Sequence, residues 1–91
     1  MQKVIAIDGD YKIIQARTGD FIVINIKGEY ENHSHYKKLS TCNLVLQIMD
    51  KQLIPKSMYI LESIIRLTLD PVYKNRLITV YNRKIAKRKK P

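Results

Sequence analysis

Residues 3–27 read KVIAIDGDYKIIQARTGDFIVINIK, and this stretch decides the fold class. Three runs rich in Ile and Val, Lys3–Asp8, Tyr11–Arg17 and Phe21–Lys27, are punctuated by Asp8-Gly9 and Thr18-Gly19. Branching at Cβ suits the pleated surface of a sheet, so each run favours extended chain. Glycine tolerates the positive φ of a tight reversal, and Asp-Gly between apolar runs therefore signals a hairpin. The expectation is a three-stranded antiparallel β-meander. In the third run Ile22, Ile24 and Ile26 share one face, while Phe21, Val23 and Asn25 share the other. Neither face is polar, and the first two runs also place Ile on both sides. A sheet apolar on both faces needs cover on both. Helices are expected on one, and a partner subunit or the C-terminal helix on the other.

Working outward, Gly28–Tyr36 is polar and marks the passage into a helical part. A first helix is expected from near Lys38 to Met49, capped by Ser34 or Ser40, with Leu39, Cys42, Val45, Leu46, Ile48 and Met49 on a wide apolar arc. A second should start after Ser57 as N-cap and reach Leu69. Asp70-Pro71 then opens a third, with Asp as cap and Pro at the first helical position, where its missing N–H costs nothing. No spacer is expected between the second and third helices. Together these features give an α+β fold, a meander followed by three helices, the last one long and basic. Residues 1–82 form one domain and 83–91 a basic helical extension.

Ninety-one residues with 45% apolar content suffice for one small domain, and with one Phe and no Trp its interior should be aliphatic. The single cysteine, Cys42, cannot form an intramolecular disulfide and reads as a small core residue. The opening residues lack the apolar stretch of a secretory signal, and no run approaches the roughly 18 residues of a membrane span. A cytoplasmic protein is expected, with no membrane span and no cofactor.

The strongest functional signal is charge. From Pro71 onward the chain holds eight cations, Lys74, Arg76, Arg83, Lys84, Lys87, Arg88, Lys89 and Lys90, and no acid. Residues 1–70 hold nine Lys or Arg against eight Asp or Glu, so nearly all of the net charge of +9 lies in the final segment. On a helix Arg76, Arg83, Lys87 and Lys90 fall within about 60° of one another and span roughly 21 Å, enough to follow several phosphates. The macrodipole would be served by two or three cations in the last turn. The excess points to nucleic-acid contact by Arg76, Arg83, Lys84, Lys87, Arg88, Lys89 and Lys90. Such contact is insensitive to base sequence, because cations at phosphates position a protein without reading bases. Neither DNA nor RNA is singled out, and a solvated tail is the plainest competing account. A helix-turn-helix is disfavoured by the missing spacer before the third helix and by Val72 and Tyr73, which are poor base readers.

A second pattern is Glu29, Glu31, His33 and His35. If the third strand continued through it, all four side chains would share one face, a layout able to hold a divalent ion or to serve a small nuclease with Tyr36, Lys37 and Lys38. Alternation over so few residues is weak, and a hydrated connection without chemistry is preferred. The expected function is a nucleic-acid-binding accessory or regulatory protein, and not an enzyme. The alternative is a protein-interaction module or inhibitor, of the kind phages or mobile elements encode, acting through the apolar sheet face, with a homodimer as the assembly in view.

Overall fold

A computed structural model describes residues 3–28 and 32–89, the Lys89 side chain excepted. Its elements are β1 (Lys3–Asp8), β2 (Tyr11–Gln15), β3 (Phe21–Asn25), β4 (His33–Tyr36), α1 (Leu39–Asp50), α2 (Met58–Leu67) and α3 (Pro71–Lys89). The fold is α+β, with an antiparallel sheet in the order β1-β2-β3-β4. Gly9 and Gly19 turn the first two hairpins at φ +59° and +93°, where a side chain would be strained.

The sheet has four strands, one more than expected. The third run stops at Asn25, because the Asn25 side chain accepts from the Lys27 amide at 3.0 Å and closes an Asx turn. Ile26 therefore leaves the sheet and is exposed. The chain returns as β4, pairing Ile24 with His33, Val23 with Ser34, Ile22 with His35 and Phe21 with Tyr36. What read as a polar connection is an edge strand whose Ser34 and Tyr36 point into the core and are buried.

Ile13, Val23 and Tyr36 supply the sheet's share of the core, and Cys42, Val45, Leu46, Met49, Leu61, Ile64, Leu67, Tyr73 and Leu77 the helices' share. Helices α1 and α2 thus cover one face, while α3 packs against α2 and does not cross to the other. Register places Val4, Ile7, Lys12, Ile14, Ile22, Ile24, His33 and His35 on the second face. Ile14 and Ile22 are buried there, outside the main cluster, while Val4 and Ile7 are 55% and 67% exposed.

Helix ends depart from expectation in two places. Neither Ser34 nor Ser40 caps α1: its N-cap is Lys38, without a side-chain bond. Ser57 does cap α2, accepting from the Ile60 amide. That helix stops at Leu67, not Leu69, because the Asn25 amide takes the Leu67 carbonyl at 2.8 Å and the Thr68 hydroxyl accepts from the Asp70 amide. Residues 68–70 therefore separate α2 from α3, and the spacer that seemed missing is present. Asp70 caps α3 as expected, accepting from the Val72 and Tyr73 amides.

Candidate nucleic-acid interface

Helix α3 is held to the body along its first half. Tyr73 is buried and donates to the Leu53 carbonyl at 2.6 Å, and Leu77 is fully buried. Further on, the Tyr81 hydroxyl donates to Glu62 at 2.8 Å across to α2, a bond to a carboxylate that raises the Tyr81 pKa. Lys84 reaches the Lys56 carbonyl at 3.3 Å, just before the start of α2. Past Ile85, which is half-buried, the helix runs on to Lys89 with exposed side chains at Ala86, Lys87 and Arg88.

The chain therefore keeps its cations from Lys74 to Lys89 on a continuous helix. Arg76, Arg83, Lys87 and Arg88 are exposed and Lys84 is half-buried. Lys89 closes the helix, its side chain outside the described set, and Lys90 lies outside the described residues. Among the described residues the ion pair within 4.0 Å joins Lys27 to Asp10, far from α3 in the chain. Among the described residues no carboxylate forms an ion pair with the α3 cations.

The Glu and His pattern is split. Glu29 and Glu31 lie outside the described residues, and the third strand ends at Asn25. His33 and His35 do share a face of β4, with ring centroids 5.1 Å apart at an edge-on angle of 67°. Among the described residues no group of three or more His, Cys, Asp or Glu is placed to hold a metal ion. Cys42 is fully buried, and burial pushes its thiol up to about 11, the opposite of an activated nucleophile. No helix among the described residues is long and apolar enough to cross a membrane.

One feature at the β4–α1 junction was only partly legible. A cleft of about 590 Å³ is lined by Asp20, His35, Tyr36, Lys37, Lys38, Thr41 and Tyr59. The Tyr59 ring meets Tyr36 edge-on at 5.9 Å, and its hydroxyl donates to the His35 carbonyl. In the sequence Lys37 and Lys38 directly follow the His segment, whereas Tyr59 lies more than twenty residues further along the chain, on α2. Its meeting with β4 depends on an edge strand the sequence hid.

Compared with known proteins, the chain matches no family model, no curated protein and no solved structure at a significant level.

Proposed function

We propose that this protein is a small nucleic-acid-binding accessory or regulatory protein that contacts phosphates through the basic end of α3, largely without regard to base sequence. The observation that carries the reading is the exposure of Arg83, Lys87 and Arg88 on a helix that persists after its apolar stripe has ended. A helix placing cations about 1.5 Å apart per residue tracks a phosphate backbone, and releasing condensed counterions drives the association. The Tyr81–Glu62 and Lys84–Lys56 bonds fix the arm's direction, so its cations approach a duplex as one array. Cytoplasmic location belongs to the same proposal. The helix-turn-helix alternative regains a spacer at residues 68–70, but Tyr73 at the start of α3 is buried and engaged with Leu53, leaving little there to read bases.

Deleting residues 83–91 tests the proposal. Binding to labelled DNA and RNA should be lost while the circular dichroism of the sheet and of α1 and α2 is retained. Unchanged affinity after the deletion would remove the arm from the account.

The uncovered sheet face supports a second reading, self-association through that face. Val4 and Ile7 are exposed on it beside Ile14, Ile22 and Ile24, and although Lys12, His33 and His35 share the face, among the described residues no acid lies on it by register. An apolar patch is complementary to itself under a two-fold axis, so a second copy is the occupant it fits. Sedimentation mass decides this: a dimer that Ile7→Lys converts to monomer supports it, and a monomeric wild-type chain discards it.

A further inference from the structure

The cleft at the β4–α1 junction combines features that neither the core nor the arm explains. Its volume of about 590 Å³ lies within the range of small-ligand sites. One wall is aromatic: Tyr59 is 55% exposed although it is anchored through its hydroxyl to the His35 carbonyl. That anchor, with the edge-on Tyr36 ring, fixes the Tyr59 plane instead of leaving it to swing in solvent. The lining also includes Lys37 and Lys38, both exposed, and Thr41. Asp20, half-buried, adds one carboxylate to the same lining.

Each group limits the ligand. Two ammonium groups favour phosphate, but Asp20 would repel a bare anion that filled the cleft. A ligand with a phosphate at one end and an amine-bearing flat ring at the other satisfies both charges, and the fixed Tyr59 ring offers that flat group a stacking surface. We propose that the cleft takes an unpaired nucleotide, its phosphate on Lys37 and Lys38, its base on Tyr59, and an exocyclic amine donating to Asp20. This rests on the nucleic-acid reading of α3 and narrows it: the preferred partner contains single-stranded nucleic acid.

The position of the cleft relative to the arm supports the same strand reaching both. Lys84 touches the Lys56 carbonyl, and Tyr59 lies three residues on from Lys56, in the first turn of α2. Cations of α3, then Lys56, then the cleft therefore follow one another around the N-terminal end of α2. A bound strand would cross that end. Duplex DNA would engage the arm alone, because a paired base cannot leave its stack without an unstacking cost of a few kcal/mol.

Two titrations of the full chain test this. In the first, a short DNA single strand and the matching blunt duplex are titrated against wild type, Tyr59→Leu, the pair Lys37→Ala and Lys38→Ala, and the arm pair Arg83→Ala and Lys87→Ala. The cleft variants should weaken single-strand binding about tenfold, the scale of one lost stacked base, and leave duplex binding unchanged; the arm pair should weaken both. Equal losses on both probes, or none, from the cleft variants would overturn the proposal. The two lysines are exposed, so that variant separates lost binding from lost folding should Tyr59→Leu unfold. In the second, AMP is titrated into the ¹⁵N-labelled chain. Shifts confined to the amides of residues 20, 35–41 and 59 support the cleft, and their absence overturns it even where the arm binds duplex. AMP binding without any oligonucleotide binding would instead reject the arm and keep the cleft as a mononucleotide site.

Discussion

Asn25 shows how one polar side chain shapes the part of the molecule that presents the candidate sites. Flanked by apolar residues, it reads in sequence as the end of a strand's inner face. In the structure it is 4% exposed, donates to the Leu67 carbonyl and accepts from the Lys27 amide. It therefore ends β3 and α2 together. Asn25→Leu keeps the branched outline but strips a buried carbonyl of its donor, and should cost about 1–3 kcal/mol in urea unfolding. A variant as stable as wild type would show that water replaces the bond. Titrating groups give a second residue-scale prediction. Burial raises the Cys42 thiol from 9.0 to about 11 and the Tyr73 phenol from 10.0 to about 12. Both are neutral when protonated, so the stability they contribute is complete below pH 9 and is lost as pH rises through those two windows. Urea midpoints should fall steadily from pH 9 to 12, and Tyr73→Phe should flatten the part above pH 10. A midpoint independent of pH there would contradict the buried placement of both groups.

At the scale of elements, apolar patterning located β1–β3 and all three helices, and capping chemistry placed the starts of α2 and α3. The sequence hid β4 because His33, Ser34, His35 and Tyr36 carry no strand propensity as a set; the strand forms by pairing with β3 and by docking α2. The Ser34 hydroxyl donates to the Ser63 carbonyl and accepts from Arg66, and the Asn32 amide donates to the Arg66 carbonyl. Those partners lie about thirty residues away in the chain, beyond the reach of local pattern. A small residue and a tyrosine at alternate positions, Ser34 and Tyr36, were the one local hint. The basic arm, by contrast, was legible because charge needs no partner to be read. Its helical state is testable by Ala86→Pro, which keeps every cation but costs about 3 kcal/mol in a helix interior. Binding should weaken measurably if the cations act as a fixed array. A flexible tail would bind as well with the proline as without it.

The whole molecule is longer than a compact chain of its size. Its radius of gyration is 13.7 Å, against about 12 Å expected for a globular domain of this length. Its extents of 46 × 27 × 21 Å match a body with one protruding helix. Six cations between Arg83 and Lys90, in a chain of net charge +9, make the molecule strongly polarised, which steers encounter with polyanions. Steering of this kind is set by ionic strength, since charges beyond roughly 10 Å are screened at 0.1 M salt.

The salt dependence of DNA binding therefore tests the account most directly. Four to six phosphate contacts on B-DNA give a slope of log K against log salt of about −4 to −5, and replacing Arg83 and Lys87 by Gln should lower its magnitude by about 2. A slope near zero, or one that the double replacement leaves unchanged, would contradict a function built on the α3 cations.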